Sequence, residues 1–79
     1  MHVRYDPEVD AAYLTVGREV QAGEAVAQVS EIRNPHGVGE IILDFDADGH
    51  LVGVEVLQAS KLLRSDDLDR AQRISDESL

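Results

Sequence analysis

Apolar side chains recur at every second position in several short stretches of the chain, the period expected of half-buried strands. Residues 2–5 alternate polar and apolar. A break follows at Tyr5, Asp6, Pro7 and Glu8, where Pro7 fixes its own φ and restricts Asp6. Residues 10–16 resume the alternation, with Ala12, Leu14 and Val16 on one face. These two segments read as an antiparallel hairpin, and Asp6 is placed to bond backbone donors in its turn. Residues 17–23 are polar and read as a loop. Residues 24–32 form a weaker strand candidate, with a helix as the alternative. Residues 33–39 (RNPHGVG) are dense in breakers and read as a loop.

Two strong strand patterns follow, residues 40–46 (EIILDFD) and 51–57 (LVGVEVL). Asp48-Gly49 between two such runs is a strong hairpin signal, because both turn positions tolerate positive φ. With those two residues as the turn, Ala47 pairs with His50. Phe45 then faces Val52, Leu43 faces Val54 and Ile41 faces Val56, so one face is wholly apolar. The other face pairs Asp46 with Leu51, Asp44 with Gly53, Ile42 with Glu55, and Glu40 with Leu57. A slip of one residue destroys this sorting. Gly53 leaves a gap on that mixed outer face, which calls for cover by the C-terminal helix or by a second subunit.

The last twenty residues change period. Residues 59–64 suit one or two helical turns. Ser65 is a candidate cap for a second helix, with Asp66 and Asp67 in its first turn. Leu68, Ala71 and Ile74 form a thin stripe along that helix, and residues 75–79 read as a frayed end. The expected fold class is α+β: an antiparallel β-meander of four to five strands with one or two C-terminal helices. The expected organisation is a β-meander domain with a short helix over residues 1–64 and a helical extension over 65–79.

The stretch DFDADGHLVGVE, residues 44–55, also matches the calcium-loop pattern D-x-[DN]-x-[DN]-G-x5-E at every specified position. A calcium loop of that kind needs a helix on each side. Here breakers and β-branched residues precede it, and period-two alternation follows. In the hairpin, Asp48 sits at the tip and Glu55 about six residue steps away, roughly 20 Å at about 3.3 Å per step. Ligands of one calcium ion converge to about 2.3–2.6 Å from it. The hairpin reading therefore excludes the calcium loop and leaves Asp44, Asp46 and Asp48 as weak cation candidates.

Composition narrows the function classes. The 79 residues make one small domain, for which oligomerisation is a common support. There are 16 acidic and 7 basic residues, a net charge of −9, and a single lysine, Lys61. Nucleic-acid binding by the lone chain is not expected, since phosphate backbones need clustered cations. A basic protein partner is favoured electrostatically, although the same charge also serves solubility. No cysteine is present, so disulfides and thiolate metal sites are excluded. Residues 1–6 hold no apolar signal core, and no apolar run approaches the ~20 residues of a membrane span. A soluble, cytoplasmic protein without a membrane partner is the expectation.

No catalytic constellation stands out. Asp44 and Asp46, about 7 Å apart along a strand, have a spacing compatible with acid/base work, and Glu55 shares their face. A solvated face with turn chemistry is the plainer reading of these carboxylates. His2, His36 and His50 lie in three separate segments and read as surface residues. Ser30, Ser60 and Ser65 lack the glycines of a nucleophile elbow. Gly37 and Gly39 do not complete a dinucleotide motif. Tyr5 and Tyr13 are suited to stacking a ligand, but residues of this kind more often belong to a core.

The stretch YDPEVDAAYL, residues 5–14, resembles the opening motif of domain-of-unknown-function family 2283. The stretch ILDFDADGHLVGVEVLQAS, residues 42–60, is similar to its second motif. The resemblance covers roughly residues 1–63. It implies a small bacterial or archaeal protein with an antiparallel sheet followed by a helix. It carries no established activity, cofactor or site residue. An association of some members with small toxin-like neighbours suggests an antitoxin or partner role. The leading expectation is thus a non-enzymatic, homodimeric, acidic interaction module paired with a basic protein. The alternative is a small-ligand or divalent-cation binding protein using the hairpin acids from Asp44 to Asp48. No cofactor is expected.

Overall fold

The computed structural model describes residues 2–73. Five antiparallel strands form one sheet: β1 (His2–Asp6), β2 (Ala11–Thr15), β3 (Ala27–Ile32), β4 (Glu40–Phe45) and β5 (Leu51–Leu57). Two short helices follow, α1 (Ala59–Leu62) and α2 (Ser65–Arg70). A two-residue strand, β6 (Gln72–Arg73), pairs parallel to β1. The α+β class and the strands match the reading of the sequence. Their order does not run as a simple meander: it is β3-β4-β5-β2-β1-β6. The first hairpin docks on β5 rather than on β3. The loop over residues 16–26 therefore carries the chain past β5 and β4 to the far edge.

The first hairpin pairs Tyr5 with Ala12 and Arg4 with Tyr13. Its turn is held by the Asp6 carboxylate, which accepts the Glu8 N–H at 3.0 Å. Residues 24–32 resolve to a strand that begins at Ala27, with an irregularity between Val29 and Ile32. The register of β4 on β5 is the expected one from Glu40↔Leu57 through Asp44↔Gly53. At the tip it changes, and Phe45 pairs with Leu51 instead of Val52.

The tip differs because the turn is a residue longer than Asp48-Gly49. The Gly49 N–H donates to the Asp46 carbonyl at 3.0 Å, and the Asp46 N–H donates to the His50 carbonyl at 3.0 Å. Three residues, Ala47, Asp48 and Gly49, form the loop, and Gly49 takes the positive φ (85°) such a loop requires. Asp46 and His50 therefore close the hairpin in place of Ala47 and His50.

The core lies between the helices and the apolar sheet face. Tyr5, Ala12, Val56, Ala59 and Leu68 are buried together, with Leu14, Val54, Leu62, Leu63 and Ala71 packed around them. The helices thus cover the β1, β2 and β5 part of the apolar face, and among the described residues no helix packs on the mixed face expected to need a cover. Ser65 is the first helical residue of α2, not its cap. Arg64 holds the cap position and makes no side-chain cap bond. Ala71 lies past the helix end, where the chain turns extended (ψ 150°) and enters β6. Ile74 and residues 75–79, assigned above to a stripe and a frayed end, lie outside the described residues. Among the described residues, no helix is long and apolar enough to cross a membrane.

Candidate functional site: two hydrogen-bonded nodes and an acidic tip

On the helix-free face, β2, β5 and β4 set Thr15, Gly53 and Asp44 side by side, with Gln28 of β3 next in line. Tyr13 sits two residues before Thr15 on β2, on the same face, and reaches across. Its hydroxyl donates to Asp44 Oδ2 at 2.9 Å. Gln28 Nε2 donates to Asp44 Oδ1 at 2.8 Å. Asp44 is only 6% exposed. A carboxylate at that depth is tolerated when both oxygens are bonded. Gly53 makes the crossing feasible, because a Cβ there would run into the Tyr13 hydroxyl and ring. The gap that Gly53 leaves on the outer face is filled by Tyr13.

Burial pushes the Tyr13 phenol up to about 12 from its ordinary 10.0. The hydrogen bond to Asp44 acts in the same direction, as do the charges of Asp44 and Glu55. A phenol held higher in the folded state than in the unfolded chain favours folding while it is protonated. That contribution is complete below pH 10 and is lost as pH rises from 10.0 towards about 12. Absorbance at 295 nm should therefore show the Tyr13 phenol ionising late, coincident with alkaline unfolding. In Tyr13→Phe the late amplitude should fall by one tyrosine; an undiminished late amplitude would refute the assignment.

A second node lies on the helix side. Asp10 takes a left-handed backbone (φ 55°), which aspartate tolerates better than most residues. Its Oδ1 accepts the Tyr5 hydroxyl at 2.7 Å and the Ser60 N–H at 2.9 Å. Its Oδ2 accepts the Ser60 hydroxyl at 2.7 Å, and its carbonyl accepts the Ala59 N–H at 2.9 Å. The hydrogen bonds from Ser60, then that from Tyr5, hold the Asp10 carboxyl below the usual range. This node fixes where α1 begins.

The third cluster is the hairpin tip. Asp46 Oδ1 accepts the backbone N–H groups of Asp48 and His50, both at 2.9 Å. Those bonds, the His50 one foremost, hold its carboxyl below the ordinary value. Side-chain ligand atoms of Asp46, Asp48 and His50 lie within 4.8 Å of one another. Of the three weak cation candidates, the structure brings Asp46 and Asp48 together and removes Asp44, whose oxygens are engaged by Tyr13 and Gln28. His50 takes the third place. Asp44 and Asp46 do not face a common substrate position as an acid/base pair, because each is bonded to different neighbours.

Tyr5 is buried in the core, as the plainer reading has it, whereas Tyr13 lies on the outer face. Asp10, Tyr13, Gly53 and Ser60 were not read as cooperating residues. The legible signal was Gly53, a glycine interrupting a strong strand opposite an aspartate. His2, His36 and His50 are all exposed, as expected. His2 Nε2 lies 2.6 Å from Gln72 Oε1, at the junction of β1 and β6.

Both nodes join residues 5–13 to residues 44–60, the two motif stretches. No curated protein and no solved structure matches the chain. The family model described as "Protein of unknown function (DUF2283)" matches residues 2–60 of the 79, and the chain belongs to that family.

Proposed function

We propose that the chain is a small acidic interaction module of the prokaryotic cytoplasm, homodimeric, that binds a basic protein in an antitoxin-like role. The observation behind this reading is the outer sheet face. It carries Glu40, Glu55, Ile42 and Leu57 in adjacent register, with no helix among the described residues packed over them. Arg4, the cation on the same face, is already paired with Glu19 at 3.4 Å. Half-buried aliphatic residues between carboxylates suit a partner that presents arginine or lysine around an apolar centre. A phenol held near 12 stays protonated at neutral pH, and Asp44 is engaged by hydrogen bonds.

Tagged protein in extracts of its native host should retain a basic protein, released by moderate salt. Glu40→Gln combined with Glu55→Gln should weaken retention at least tenfold with the fold unchanged. Absence of a retained basic protein, or equal retention by the double variant, would count against the proposal.

A second reading rests on the tip, where Asp46, Asp48 and His50 bring three ligand atoms together. Three ligands on one short, exposed loop predict weak binding, in the millimolar range typical of low-affinity oxygen sites. Titration with calcium, magnesium or manganese, followed by amide shifts of residues 46–50, should saturate in that range. Asp48→Asn should abolish the shifts. No shift at these residues would remove the cation reading.

A further inference from the structure

The helices cover only half of the apolar sheet face. Ala27 and Val29 of β3, Ile41, Leu43 and Phe45 of β4, and Val54 of β5 share that face through the observed register. Only Val54 of these packs against the core. Val29 is 50% exposed. In β4 the one buried side chain is Asp44, on the opposite face, while Ile41, Leu43 and Phe45 are all partly exposed. The β3–β4 part of this face thus lacks a second layer among the described residues. Stable folds bury such a face against another layer.

We infer that this face is the seam of the homodimer, with a second copy packing sheet against sheet over β3 and β4. Charge selects a second copy over the basic partner. Every residue that β3, β4 and β5 contribute to the patch is uncharged, in a chain of net charge −9. A basic protein finds no counter-charge there. Two copies meet on it without bringing carboxylates together, and an isologous contact closes at two subunits. Facing sheets about 10 Å apart fill the gap with Val29, Leu43 and Phe45 from each side. The patch runs about 10 Å from β3 to β5 at about 4.8 Å per strand, so the interface is small and the dimer reversible. The acidic face stays outward on both copies and free for the partner. The inference rests on the homodimeric part of the function proposed above.

Sedimentation velocity of the full chain over about 5–500 µM tests it. The wild type should shift from monomer to dimer within that range. Val29→Glu should raise the dissociation constant at least tenfold, and isosteric Val29→Thr should raise it less. Circular dichroism should be unchanged in both, because Val29 is half exposed. A dimer equally tight in both variants overturns the seam and leaves the dimeric reading standing on another surface. A monomer throughout overturns both. In that case, nuclear Overhauser contacts from Val29 to residues 74–79 would assign the face to the chain's own end. Binding of the basic protein is measured separately and survives either result.

Discussion

Gly53→Ala should destabilise the fold by about 2 kcal/mol, although alanine suits a strand better than glycine does. The gain in strand propensity is about 0.5–1 kcal/mol. Against it stands the Tyr13 ring, which occupies the volume of the new methyl group. Tyr13 must swing away, and the swing breaks its bond to Asp44. Losing a hydrogen bond to a buried charged group costs about 1.5–3 kcal/mol. Part of the ring's burial goes with it. For a domain of this size, about 2 kcal/mol lowers the melting temperature by roughly 8–16 °C. Thermal unfolding followed by circular dichroism checks this. The alkaline ionisation near 12 should also move towards 10.0, because a displaced phenol loses both its burial and its acceptor. An unchanged melting temperature would mean that the ring does not lie over Gly53.

Asp10→Ala should cost more, about 2–4 kcal/mol. The substitution removes the acceptor of the Tyr5 hydroxyl and both acceptors of Ser60. Tyr5 is buried, and losing a hydrogen bond to a charged group costs about 1.5–3 kcal/mol. Alanine must also take the left-handed backbone, at a cost of about 1 kcal/mol. Asp10→Asn keeps one acceptor and tolerates that backbone, so it should lose less. The pH dependence separates charge from shape. The Asp10 carboxyl lies below its ordinary 3.8 when folded. Its contribution is therefore present above about pH 4 and is lost as pH falls through the folded value. Chemical denaturation between pH 3 and 7 should show a steeper loss towards acid in the wild type than in Asp10→Asn. Parallel curves would refute the role given to the charge.

The strands were legible because apolar alternation reports burial directly. The β4 and β5 register followed from sorting alone through Asp44↔Gly53. It slipped at Phe45 because Asp48-Gly49 signals either a two-residue or a three-residue turn. The backbone bonds at Asp46 chose the longer one. The order of the strands was not legible. Nothing local in residues 16–26 states that they cross two strands before β3. Residues 71–73 looked helical by spacing, yet pairing with β1 competes with helix extension and ends α2 at Arg70. The candidate site was legible only in part. Asp46 and Asp48 are two residues apart at a turn, so their proximity follows from sequence. His50 was missed as their neighbour because the tip loop was read one residue short. Tyr13 and Asp44 are 31 residues apart, and Asp10 and Ser60 are 50 apart. Such pairs emerge only from topology.

Tyr13 laid across Gly53 onto Asp44 is the tie that joins the two motif stretches on the outer face. A double-mutant cycle of Gly53→Ala and Tyr13→Ala measures it. With the ring removed, the methyl group meets open space, and Gly53→Ala should then be neutral or slightly stabilising. The predicted coupling is about 2–3 kcal/mol, within the range for residues in direct contact. Additive effects, with Gly53→Ala equally costly in both backgrounds, would contradict it.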